Sequence, residues 1–148
     1  MRILISACLL GVPCKYSGGS NLQKNLPNLL KDHTLIPVCP ELYGGLPIPR
    51  PPAEKQGDRV VDRQGKDVTQ AFVKGAEKTL AMAKEFDCTV AILKENSPSC
   101  GCGQIYDGTF TGTKIPGNGL TAQLLLEHNI SVWGESQISE FLSQFGKN

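Results

Sequence analysis

The chain of 148 residues lacks a dominant charge, its formal net charge being +1. It therefore has no basic stripe of the kind that releases counterions from a nucleic acid backbone. No apolar run approaches ~20 residues, so no segment is expected to span a membrane. The C-x-x-C pairs of structural zinc sites and redox dithiols are also missing. The nearest approach is Cys100-x-Cys102, which has no second pair, and His33 and His128 stand without ligand spacing. Internal repeats and low-complexity segments are absent. No secretion signal is expected either. Ile5-Ser6-Ala7-Cys8 looks like a lipoprotein processing site, but the apolar stretch before Cys8 is far shorter than the ~7–15 residues of a signal core. The expected location is the cytoplasm, where thiols stay reduced.

What the chain does have is cysteine, six in all. In a reducing compartment that number suggests metal binding or catalysis rather than cross-links. The competing reading is a scatter of small buried core residues. Three of the cysteines share a context. Cys8 follows the apolar run Ile3 to Ala7, Cys39 follows Leu35 to Val38, and Cys100 closes Lys94-Glu95-Asn96-Ser97-Pro98-Ser99 after the run Val90 to Leu93. If these runs are neighbouring parallel strands, their ends share one sheet edge and the three thiols converge there.

The rest of the chain supports such a sheet. Leu22 to Lys31 has helical spacing that Pro27 breaks or delays. Residues 39–52 are rich in proline and read as a stiff, shaped loop. Arg59 to Asp62 and Lys66 to Val68 flank Arg63-Gln64-Gly65 as a hairpin. Thr69 is expected to cap a helix reaching Phe86. Gln104 to Lys114 reads as a second hairpin around Asp107-Gly108. A helix from Thr121 to Glu127, a strand over 130–133 and a helix over 136–145 complete the chain. The expected architecture is a single α/β domain over 1–148: three-layer, Rossmann-like, with a mostly parallel sheet of about four strands and two small hairpin insertions. The N-terminus of the helix at Thr121 is expected to face the thiols and offer free N–H groups to an anion.

Thiolates from three segments suit an iron–sulfur cluster better than zinc, with the core reading still open. Cys88, at the opposite strand end, is expected to be structural. Glu41 and Ser97 lie beside Cys39 and Cys100. A carboxylate there can act as a base and a hydroxyl can orient water, although either residue could equally close a turn. Lys15, Tyr16 and Arg50 lie in loops over the edge, as pocket-lining residues or as solvated side chains.

Five segments taken together carry a resemblance. They are Ile-Ser-Ala-Cys-Leu-Leu-Gly-Val-Pro-Cys-Lys-Tyr-Ser-Gly (5–18), Val-Cys-Pro-Glu (38–41), Gly-Gly-Leu-Pro-Ile-Pro-Arg-Pro-Pro-Ala-Glu (44–54), Asn-Ser-Pro-Ser-Cys-Gly (96–101) and Gly-Asn-Gly-Leu-Thr-Ala (117–122). In this order the chain resembles the bacterial, iron–sulfur-dependent thiouracil desulfidase family over nearly its whole length. The resemblance implies a [4Fe–4S] cluster on Cys8, Cys39 and Cys100, with one iron lacking a protein ligand. It implies Glu41 and Ser97 as catalytic residues. It also implies a non-redox, hydrolytic desulfuration of a 2- or 4-thiouracil type pyrimidine to uracil and hydrosulfide. Cys14 matches a position that is apolar in some relatives and Cys102 lies outside the motif, so neither is counted as a ligand. Ser17 stands where an aspartate is usual. The implied partner is a small thiolated nucleobase, with no membrane and no nucleic acid; the oligomeric state is left open. The alternatives are an iron–sulfur or metal carrier without catalysis, and a desulfidase of thiolated nucleosides or tRNA.

Overall fold

The structure is a computed structural model describing residues 1–145; of the domain expected over 1–148, residues 146–148 lie outside the described residues. In chain order the elements are β1 (Arg2–Ser6), α1 (Leu26–Asp32), β2 (Thr34–Val38), α2 (Pro40–Tyr43), β3 (Ala53–Gln56) and β4 (Arg59–Asp62). They continue with α3 (Thr69–Glu85), β5 (Val90–Leu93), β6 (Gln104–Tyr106), β7 (Lys114–Pro116), α4 (Leu120–Glu127), β8 (Ser131–Gly134) and α5 (Ile138–Phe145).

The core is a parallel sheet in the order β2-β1-β5-β8. Side chains alternate between its faces along each strand. Ile3, Ile5, Val90 and Ile92 meet Leu29 of α1 and Ile138 and Phe141 of α5 on one face. Leu4, Val38, Ala91 and Leu93 meet Leu80 and Ala83 of α3 and Ala122 and Leu125 of α4 on the other. Both faces are thus covered, which accounts for the fully buried β5. This is the expected three-layer, Rossmann-like arrangement, with antiparallel pairs β3–β4 and β6–β7 as the two insertions.

Local expectations fail where tertiary contacts compete. Helix α1 starts only at Leu26, with Pro27 in its first turn, where the missing N–H costs nothing. The stretch 39–52 is not all loop: Pro40 opens the short helix α2. β4 is paired on both sides: with residues 53–56 across Gly57-Asp58, where Gly57 supplies the positive φ of +61° that the tight turn needs, and with 66–68 across the expected turn at Arg63-Gln64-Gly65. There an isolated antiparallel bridge joins Val61 to Asp67, flanked by Asp62 N donating to Lys66 O and Val68 N to Val60 O, both at 2.9 Å. Thr69 is the first residue of α3 rather than its cap; its N–H and hydroxyl both donate to Asp67 Oδ1. β6 and β7 are joined by residues 107–113 rather than a two-residue turn. Gly108 N and Phe110 N instead donate to the buried carboxylate of Glu54, at 2.9 and 3.1 Å. The final helical stretch opens as a 3₁₀ turn at Glu135–Gln137.

Helix α2 lies against α3 at backbone distance. A Cβ on Gly75 would sit 1.9 Å from Pro40 O, and one on Gly44 would sit 2.0 Å from Ala71 O. Alanine at Gly75 gains about 0.5–1 kcal/mol of helix propensity. Overpacking costs about 1–3 kcal/mol and outweighs it. Gly75→Ala is therefore expected to lower the urea midpoint of unfolding. A midpoint at or above that of the parent would show that the two backbones are not in contact.

Candidate functional site

The strand order places β1 between β2 and β5, so Ser6, Val38 and Leu93 end side by side on one edge. After β1 the chain turns tightly through Ala7–Leu10, and Gly11 closes this 3₁₀ turn at φ +94°. Cys8 sits in it and is 8% exposed. Cys39 immediately precedes α2 and is half-buried. Cys100 is carried back over the edge by a turn organised around Ser97, whose Oγ accepts from Ser99 N at 3.0 Å and from Cys100 N at 2.8 Å. All three cysteines line one cavity of about 410 Å³, together with Glu41, Ser97 and Cys14. That volume falls in the range of roughly 300–1,000 Å³ typical of small-molecule sites.

The expected site residues Lys15, Tyr16 and Arg50 also line this cavity. Tyr16 is largely exposed and Lys15 half-exposed, whereas Arg50 is buried. The Arg50 guanidinium donates through Nε to Glu41 Oε1 (3.1 Å), through Nη1 to Pro47 O (3.2 Å) and through Nη2 to Cys14 O (2.8 Å). It ties its own loop to helix α2 and to the loop carrying Cys14, and fixes one oxygen of the Glu41 carboxylate. Among the described residues no other hydrogen bond reaches that carboxylate.

Cys88 is buried in the core beneath α3 and α4, before β5, and Cys102 lies at that core's margin; neither lines the cavity. Cys14 does line it and is 3% exposed. Burial above all, and then the neighbouring Cys39, pushes the Cys14 thiol up to about 12, so it stays protonated near neutrality. Burial likewise pushes Cys100 to about 12 and raises Cys8, because a thiolate without water or a cation is costly. Two hydrogen bonds act in the opposite sense, from Ser6 to Cys100 and from Asn21 to Cys8.

The free helix N-terminus expected at Thr121 does not exist. Leu120 N donates to Pro98 O, and Thr121 N and Ala122 N both donate to Ser99 O. The Ser99 and Thr121 hydroxyls are bonded to each other at 2.8 Å. A Cβ on Gly119 would lie 2.4 Å from Ser99 C, so the loop holding Cys100 presses directly onto α4 and consumes its donors. What the sequence had suggested as an anion site is a clamp on the Cys100 turn.

Several lining residues had no distinctive sequence signal. Lys94 follows β5 directly and was findable from the strand-end rule; its Nζ pairs with Glu135 Oε2 at 2.7 Å. Tyr106 and Phe110 come from the β6–β7 insertion, and Arg63 lies over the Phe110 ring at 5.6 Å. They supply an aromatic wall to the cavity. Ser6 and Asn21 reach the thiols only through the fold.

Among the described residues no three His, Cys, Asp or Glu side chains are grouped closely enough to hold a single metal ion. The three thiols come from separate segments and line one cavity, a soft donor set of the kind that holds iron–sulfur clusters.

The chain is similar to proteins of one described family. The family model described as 2-thiouracil desulfurase matches residues 3–137. The uncharacterized protein YbbK of Bacillus subtilis (strain 168) is 43% identical over 150 residues, covering 95% of this chain and 99% of that protein. A solved structure, the [4Fe-4S]-dependent thiouracil desulfidase TudS, superposes with a TM-score of 0.90 at 45% identity, covering 97% of this chain and 96% of that one. With the family model spanning nearly the whole chain, the protein belongs to the 2-thiouracil desulfurase family.

Proposed function

We propose that the chain, acting as one cytoplasmic domain over residues 1–148, hydrolyses the C–S bond of a thiolated pyrimidine. The products are the oxo base and hydrosulfide, with no net electron transfer. The observation that carries this reading is that Cys8, Cys39 and Cys100 share one cavity with Glu41 and Ser97. The three thiols are the ligands we assign to a [4Fe–4S] cluster, and the chemistry of the donor set fits. It consists of soft sulfur around one cavity, and burial disfavours the free thiolates of Cys8 and Cys100, which a cationic centre would offset. When bound, such a cluster supplies a Lewis-acidic iron with affinity for the substrate's sulfur.

The protein's own residues then have defined tasks. Arg50 holds Glu41 Oε1, leaving Oε2 to take a proton from water. Ser97 Oγ already accepts two N–H groups, which occupies both its lone pairs. Its hydroxyl can therefore only donate, and it orients the water by donating to the water oxygen. Attack at the ring carbon forms the new C–O bond and turns C=S into a C–S single bond; as the carbonyl forms, the C–S bond breaks and the sulfur leaves as hydrosulfide with the second proton of the water, the first being on Glu41. The wall of Tyr106 and Phe110 offers flat apolar surface to a pyrimidine ring and excludes water from it.

The deciding experiment is anaerobic purification, an absorption spectrum and a sulfide-release assay with 2- and 4-thiouracil. Equal amounts of sulfide and uracil are expected. Bound iron with no sulfide release from either base would identify a carrier instead. Turnover of thiolated tRNA alone, with binding that weakens steeply in salt, would move the substrate to nucleic acid.

A further inference from the structure

Two side chains outside the ligand set are aimed at ligand sulfurs. Asn21 Nδ2 donates to Cys8 Sγ at 3.4 Å. The contact is held from both ends, because Asn21 N also donates to the Cys8 carbonyl at 2.8 Å and Gln23 Nε2 donates to the Asn21 carbonyl at 2.6 Å. On the other side of the cavity, Ser6 Oγ donates to Cys100 Sγ at 3.7 Å. Ser6 Oγ accepts the N–H of Lys94 at 2.9 Å and keeps its single proton available, and a metal-bound sulfur can only accept it. Ser6 is 3% exposed and water does not compete for the bond.

A metal-bound thiolate accepts hydrogen bonds and cannot donate them. Each donor draws electron density from its sulfur and thereby from the iron that the sulfur binds. Hydrogen bonds to ligand sulfurs are among the terms that set a cluster's reduction potential, since they favour the more electron-rich state. We propose that Ser6 and Asn21 are positioning residues that tune the cluster electronically through Cys100 and Cys8, raising its reduction potential and strengthening its retention. This deepens the function proposed above and rests on the assignment of Cys8 and Cys100 as cluster ligands.

The test uses the full chain reconstituted anaerobically, with the cluster's midpoint potential followed by spectroelectrochemical titration and its retention by iron loss to a chelator. Ser6→Ala and Asn21→Leu should each move the midpoint to more negative potential. The double variant should show the sum of the two shifts, because the donors serve different sulfurs. Asn21→Asp should move it further than Asn21→Leu, by placing negative charge at the same point. Retention should fall by about 10-fold or more in each variant. Ser6→Thr keeps the hydroxyl and should return the parental values. If Ser6→Ala loses its cluster while Ser6→Thr keeps it at the parental potential, the hydroxyl is again what matters. A loaded parent whose Ala, Leu and Asp variants all titrate at its own potential would overturn this inference while leaving the desulfidase reading intact. A parent that takes up no iron and sulfide would overturn both.

Discussion

Cys8→Ala, Cys39→Ala and Cys100→Ala, each reconstituted anaerobically, are expected to lose most of the iron that the parent binds, about four per chain by the stoichiometry of a cubane. The expectation comes from where the sulfurs lie. Cys8 leaves the end of β1, Cys39 the end of β2, and Cys100 returns over β5, so each comes from a different strand end. Cys14 is the one other thiol among the described residues that lines the cavity, so its own variant tests whether it can stand in. Cys88→Ser is expected to keep the full iron content, since that thiol is in the core and outside the cavity. Cys14→Ser is expected to keep both the iron and measurable sulfide release. Iron content by chelator assay, read with the visible absorption band, decides each case. Full iron in any one of the first three variants would remove that cysteine from the ligand set. Loss of iron in Cys14→Ser would add Cys14 to it.

Glu41→Gln and Ser97→Ala should retain the cluster spectrum and lose thiouracil turnover by about 10²-fold or more, the scale of a positioned acid–base group. Glutamine is the better replacement at Glu41. Arg50 is almost fully buried, with its side chain 4% exposed, and alanine would strand its charge. Glutamine leaves an acceptor for Nε and removes only the ability to take a proton. At Ser97, alanine deletes the acceptor of two N–H groups. The turn retains the bond from Gly101 N to Ser97 O at 2.9 Å, so the Cys100 loop keeps part of its support. Measuring iron beside sulfide release separates chemistry from collapse. Variants with full iron and parental kcat would show that neither side chain takes part in the reaction.

Much of this was legible in the amino-acid sequence because it is local. The four apolar runs, their lengths and the helical stretches between them follow from periodicity, and they sufficed to specify a parallel, three-layer sheet. Placing Cys8, Cys39 and Cys100 after strands 1, 2 and 3 of that sheet also needed only the rule that loops at the carboxyl edge carry chemistry. The ordered motifs around those cysteines then led to the family.

What only the tertiary structure decided is the state of each polar group, because a hydrogen bond depends on which distant segment the fold places beside it. The donors at the start of α4 would be free in an isolated helix, yet the carbonyls of Pro98 and Ser99 take them. Asp107-Gly108 would form a tight hairpin turn alone, but the carboxylate of Glu54, more than fifty residues away in the chain, opens it by accepting two of its N–H groups. Arg50 could have been a surface cation; it is buried instead among acceptors from helix α2, its own loop and the loop carrying Cys14. The same holds for Ser6 and Asn21. Ser6 lies in the motif around Cys8, yet the sulfur it meets is that of Cys100; it and Asn21 reach their sulfurs only because β1, β5 and the loop after Cys8 are brought to one edge.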